Sequence, residues 1–139
     1  MSFLLDTNVV SEWIKPLPNP GVIQWLTTVE ENEIFLSVVS VTELRYGIER
    51  MPAGIRRQRL DQWLVDEFLP RFDRRIFPVD LAIANAGGKL VARSESKGRP
   101  MEPRDAFIAA TAEVYDLTLV TRNASDFHAT IKAIVTPWS

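Results

Sequence analysis

Five short apolar runs punctuate this chain: Phe3-Leu4-Leu5, Ile34-Phe35-Leu36, Ile76-Phe77-Pro78-Val79, Leu117 to Thr121 and Ile134-Val135. Runs this short and this uniformly apolar read as strands buried on both faces. Most of the stretches between them carry apolar residues at helical spacing and are long enough for crossover helices. Asn19-Pro20 supplies a cap with proline at the first helical position, before Val22, Trp25, Leu26 and Val29. Ser37 or Ser40 opens a helix carrying Val41, Leu44, Tyr46 and Ile48, which Pro52-Ala53-Gly54 breaks. A longer amphipathic helix is expected from about Ile55, with Leu60, Trp63, Leu64 and Leu69 in its stripe. Leu81 to about Ser96 is helical, with Ala84 to Gly88 small enough for close packing. After a loop at Gly98 to Glu102, Pro103 opens a last helix running through Ala112. This alternation predicts an α/β fold: a central, mostly parallel β-sheet flanked by α-helices on both faces.

At 139 residues, with no internal repeat or low-complexity tract, the chain is expected to be one domain, 1–139. No run approaches the roughly 18 apolar residues of a membrane span. MSFLLDTNVVSEW has no basic start and takes an acid at its sixth position, so no secretory signal is expected. Without cysteine there is no disulfide, thiolate nucleophile or thiolate zinc site, and a cytoplasmic protein fits best. The net charge of −2 argues against a nucleic-acid coat protein, but local basic patches can still grip RNA. Arg56, Arg57, Arg59, Arg71, Arg74 and Arg75 form one such group, and Lys89, Arg93 and Lys97 recur at intervals of four. Either group could equally be a solvated helix face.

Four acids adjoin the apolar elements: Asp6 in LLDTN, Glu43 in VTELRYGI, Asp105 in PRDAFIAATA and Asp126 in TRNASDF. In parallel sheets, sites form beyond the carboxyl ends of the strands. Asp6 follows the first strand into what reads as a polar loop; Asn123 and Asp126 follow the fourth. Glu43 and Asp105 lie on helices entered from the same end. Each has an ordinary explanation as well: a turn residue for Asp6 or Asp126, a helix surface for Glu43, a first-turn dipole partner for Asp105. Together they pose an electrostatic problem, because two carboxylates about 5 Å apart repel by roughly 3 kcal/mol at an effective dielectric of about 20. A divalent ion is the simplest remedy, and hard oxygen ligands suit Mg²⁺ or Mn²⁺. His128 is the only histidine, so paired-histidine cleavage and a Ser-His-Asp triad lack support; it reads as a surface or interface residue.

LLDTNVVSE, SVVSVTELRYGI, RDAFIAATA and LVTRNASDF, in that order, resemble the PIN-domain nucleases, particularly VapC-type toxins. The closing Pro137-Trp138 is similar to the FitB-like branch. The resemblance implies a Mg²⁺-dependent endoribonuclease, the toxin of a type II toxin–antitoxin pair. It assigns Asp6 and Asp105 as principal metal ligands, with Glu43 and Asp126 completing the pocket. Relatives vary between an acid at the place of Asn123 and one at the place of Asp126. Here the first is an amide, which leaves one or two metal ions open. Asn8, Thr121 and Asn123 would support the ligands. The implied partner is a small DNA-binding antitoxin of the VapB type, whose C-terminal tail enters the active-site groove. An acidic pocket is a natural receptor for an arginine fork. Homodimers assembling into larger toxin–antitoxin complexes are also implied, with Trp13, Ile48 and Trp63 as exposed apolar contacts if they are not core.

The chemistry expected is metal-assisted hydrolysis of an RNA phosphodiester, leaving 5′-phosphate and 3′-hydroxyl ends. Arg93 and Lys97 come first as phosphate contacts, then Arg99 and Arg104 near the acidic rim. A phosphatase reading is weaker, because Asn8 stands where such enzymes place a second acid. A non-catalytic RNA- or partner-binding module is the remaining alternative.

Overall fold

A computed structural model of the chain describes residues 1–127, 130–131 and 133–139; His128 lies outside the described residues. The strands are β1 (Phe3–Leu5), β2 (Ile34–Ser37), β3 (Ile76–Phe77), β4 (Thr118–Val120) and β5 (Ile134–Val135). They form one sheet in the order β3-β2-β1-β4-β5, with every neighbouring pair parallel. β1 lies at the centre, Phe3 pairing with Ile34 on one side and Thr118 on the other. The short β3 takes the edge, where Pro78 just beyond it removes no ladder bond.

Side-chain alternation along β1 divides the core in two. Phe3 and Leu5 face a cluster built with Val9, Val22, Leu44 and Phe72. Leu4 faces the opposite cluster, with Ile83, Leu90, Ile108 and Leu119. The first layer holds α1 (Thr7–Trp13), α2 (Pro20–Thr28), α3 (Val38–Glu49) and α4 (Ile55–Gln62). The second holds α6 (Leu81–Ser96) and α7 (Pro103–Val114). Buried Gly87 allows the tightest approach between them: a Cβ there would lie 3.1 Å from the Phe107 ring.

Two local expectations need correction. The polar stretch after Asp6 is helical from Thr7 onward, because Asp6 itself caps the helix through its own side chain. The helix after Ile55 is not one regular piece. It passes through a π-helical turn, Trp63–Phe68, before the short α5 (Leu69–Arg71). Leu60, Leu64, Phe68 and Phe72 repeat every four residues, a spacing that drifts by about 40° per step in a regular α-helix. The wider turn keeps Leu64, Phe68 and Phe72 in the core. For Trp13, Ile48 and Trp63, where the sequence left core or contact open, the structure shows packing against the core. Ile48 is buried, and both tryptophans pack partly buried against the first cluster.

Half of the arginine-rich middle is tied into the structure. Arg71 pairs with Glu31, Arg57 pairs with Glu49, and Arg75 bonds the backbone oxygens of Glu31 and Ile34. Among the described residues, no helix is long and apolar enough to cross a membrane.

Candidate functional site

The sheet order reverses between β1 and β4, and the crevice beyond their carboxyl ends is where open α/β sheets place ligands. Asp6 occupies it. Its backbone N–H continues the ladder to Val120 at 2.9 Å, fixing the side chain at the rim. Oδ1 accepts from the Thr7 N–H at 2.7 Å; Oδ2 accepts from Thr121 Oγ1 at 2.8 Å and, more loosely, from Asn8 Nδ2 at 3.4 Å. Thr121 Oγ1 in turn accepts from the Asn123 N–H at 3.1 Å, and Asn8 Oδ1 from the Arg122 N–H at 3.2 Å. Asn8, Thr121 and Asn123 thus bind the end of β1 to the end of β4. Burial pushes the Asp6 carboxyl above its ordinary value; the Thr121 and Thr7 bonds and the charge of Arg104 pull the other way.

Pro103 starts α7 and places Asp105 in its first turn. The half-buried Asp105 carboxyl is pushed up to about 6, first by desolvation and then by the charge of Asp6, with Arg104 opposing. Among the described residues, no hydrogen bond contributes to that balance. Ser37 caps α3, with its Oγ accepting from the Val39 N–H at 3.1 Å, and so orients the helix carrying Glu43. Thr7 Oγ1 donates to Glu43 Oε1 at 2.8 Å and lies 2.9 Å from Ser40 Oγ. Glu43 Oε2 takes Arg104 Nη1 at 3.1 Å. Asp126 follows β4 on a short 3₁₀ turn and is exposed.

Asp105 and Asp126 share the wall of a cavity of about 470 Å³ with Arg99, Met101, Glu102 and Arg104. Asp126 raises the proton affinity of both Asp6 and Asp105, placing all three within electrostatic reach. Arg99 and Arg104 therefore line the acidic cavity. Arg93 and Lys97, exposed at the end of α6, are not part of its wall.

The donor set fits a hard divalent cation in kind, since it is all carboxylate oxygen and Asp105 has no hydrogen-bonding partner among the described residues. It is not a closed shell: among the described residues, no three acids stand close enough to hold an ion ready-made.

Sequence reasoning missed Thr7, which anchors Glu43, and Ser40, which bonds Thr7, although Thr7 stands inside LLDTN beside Asp6. It also missed Glu12, a buried acid paired with Lys15 and accepting from the Asn19 N–H at 2.8 Å. The Lys15 bond holds the Glu12 carboxyl below its ordinary value, consistent with a structural anchor for the turn into α2.

A parallel α/β domain with acids gathered around its switch-point crevice defines the class. The PIN domain family profile matches residues 3–132, and the chain belongs to that family. Toxin FitB of Neisseria gonorrhoeae is 36% identical over 135 residues, 97% of each chain. VapC ribonuclease Y4jK of Sinorhizobium fredii is also 36% identical, over 97% of this chain and 96% of the relative. Among solved structures, a chain of FitAB bound to an IR36 DNA fragment superposes with a TM-score of 0.94 at 33% identity. That match covers 99% of this chain and 96% of the other.

Proposed function

We propose that this chain is a divalent-metal-dependent endoribonuclease, the toxin of a type II toxin–antitoxin pair. The observation that carries the reading is Asp105: a half-buried carboxylate beside Asp6, with no hydrogen-bonding partner among the described residues, in a cavity open to solvent. Similarity over nearly the whole chain to a FitB toxin and a VapC ribonuclease supports it. Asp6 and Asp105 would hold Mg²⁺ or Mn²⁺, with Glu43 and Asp126 completing the pocket. A bound ion would acidify water and neutralise charge on the phosphoryl oxygens.

The chain's own residues do the rest. Thr121, Thr7 and Asn8 fix both oxygens of Asp6, so that little reorganisation is needed when charge develops nearby. Glu43 or Asp126 accepts a hydrogen bond from the attacking water, and Asn123 orients it. Arg99 and Arg104 contact RNA phosphates at the cavity, with Arg93 and Lys97 further along the strand. In-line attack by water leaves a 5′-phosphate and a 3′-hydroxyl.

The reading extends to the whole of residues 1–139 as one PIN domain acting in the cytoplasm. Its partner is a DNA-binding antitoxin of the VapB type, whose C-terminal tail lies in the active-site groove, and the pairs assemble through toxin homodimers. A groove of about 220 Å³ running from Thr7 and Glu43 to Leu44, Leu60 and Trp63 supports a tail that is apolar along its length and basic where it meets the acids. The FitAB complex and a VapBC complex from Salmonella typhimurium, 25% identical, among the structural relatives support the same partnership.

The open spacing of the acids favours one second reading, a PIN module that binds RNA or a partner without cutting. Incubating antitoxin-free protein with total RNA and Mg²⁺ or Mn²⁺, beside Asp6→Asn and Asp105→Asn, separates the two. Metal-dependent cutting with 5′-phosphate ends, lost in both variants, is the expected result. Cyclic-phosphate ends would exclude the mechanism, and binding without cutting would favour the module.

A further inference from the structure

We propose that Arg104 is a built-in counter-cation of the acidic site: it holds Glu43 while no metal is bound, and a divalent ion must displace it from that carboxylate. This rests on the reading that the acids take such an ion. Arg104 immediately precedes Asp105 in the first turn of α7, yet its side chain reaches across to Glu43 on α3. Glu43 has one oxygen committed to Thr7, so Oε2 is the atom left for a cation, and Arg104 Nη1 already sits 3.1 Å from it. The other end of the guanidinium is weakly held, 3.4 Å from an exposed Glu102. Arg104 is itself 51% exposed, so its pairs are screened and readily exchanged. One positive charge cannot balance Asp6, Glu43, Asp105 and Asp126 together, and a doubly charged ion at the same place would do so better. Once displaced, the planar fork remains on the cavity wall, free to engage a substrate phosphate.

Arg104 therefore opposes metal binding and supports RNA binding, two effects with opposite signs. Direct titration of Mn²⁺ into the antitoxin-free protein, followed by calorimetry or by the loss of the free-ion resonance signal, reads the first. Arg104→Ala is expected to bind Mn²⁺ about fivefold more tightly, the exchange value of an exposed ion pair. Arg104→Lys, which keeps the charge but loses the fork, should stay near the parent affinity while raising the KM for RNA. Arg104→Gln and thermal melts of each variant guard against a folding defect. Equal or weaker Mn²⁺ binding by Arg104→Ala and Arg104→Gln would overturn the proposal, because it would make Arg104 a positioning group for Glu43. If the parent protein and Arg104→Ala bind no more Mn²⁺ than Asp105→Asn, the metal reading beneath it falls as well.

Discussion

Replacing Asp105 by Asn should stabilise the metal-free protein at neutral pH while abolishing cleavage. The Asp105 carboxyl is pushed up to about 6 from an ordinary value of 3.8. Two pH units correspond to roughly 3 kcal/mol of preference for the protonated form. The group is only half-buried and faces a solvent-filled cavity, so screening reduces this to about 1–1.5 kcal/mol. Because the folded value is the higher one, the native state binds the proton more tightly than the unfolded chain. Below about pH 4 both states are protonated and Asp105 costs nothing. Between pH 4 and 6 the unfolded chain ionises first, so stability falls as pH rises, and above pH 6 the full penalty remains. Asn carries no such penalty. Urea unfolding in the presence of a chelator should therefore give equal stabilities at pH 4. At pH 7.5 it should give an advantage to Asp105→Asn of about 1–1.5 kcal/mol, or roughly 3–5 °C in Tm. Other titrating groups are common to both proteins and cancel in the difference. A variant less stable than the parent at pH 7.5, or a difference independent of pH, would refute the reasoning.

Other outcomes follow from single contacts. Thr121→Val removes the donor to Asp6 Oδ2 and the acceptor for the Asn123 N–H, and should cost about 1–3 kcal/mol in unfolding experiments; an unchanged midpoint would contradict the role given to Thr121. A Cβ on Gly21 would lie 2.3 Å from the Pro137 carbonyl oxygen and 2.7 Å from the Ser139 nitrogen. Gly21→Ala should therefore loosen the C-terminal segment and cost about 1–3 kcal/mol, read as faster carboxypeptidase trimming together with a lower Tm. Asn19→Ala removes the cap of α2, whose Oδ1 also accepts from Ser139, and should cost about 1 kcal/mol; no loss of stability would show the cap to be dispensable.

What the sequence made legible was whatever depends on local pattern. Apolar runs, prolines at helix starts and the pair Ser37 and Ser40, of which Ser37 proved to be the cap, gave the strands and most helices, since each of those signals acts within a few residues. The rim positions of the acids followed from parallel strands alone. The short α1 was hidden because the residue that marks it, Asp6, also suits a turn, and TNVVSEW is too brief to display a period. The π-helical turn was hidden because a four-residue apolar repeat reads as an ordinary amphipathic helix until the core shows which residues must face inward. Trp13 gave no sign of its packing, which depends on partners distant in sequence. The same limit applies to the site. Nothing local to Arg104 says that it reaches Glu43 rather than solvent, or that Thr7 holds the other oxygen of that carboxylate.

The central claim is that Asp6 and Asp105 share a divalent cation, and manganese anomalous scattering from crystals of the antitoxin-free protein tests it most directly. One strong peak within ligand distance of both carboxylates, about 2.0–2.6 Å, is the predicted result. Manganese bound elsewhere, or Asp6 keeping its Thr121 and Thr7 bonds with no ion beside it at saturating Mn²⁺, would contradict the account.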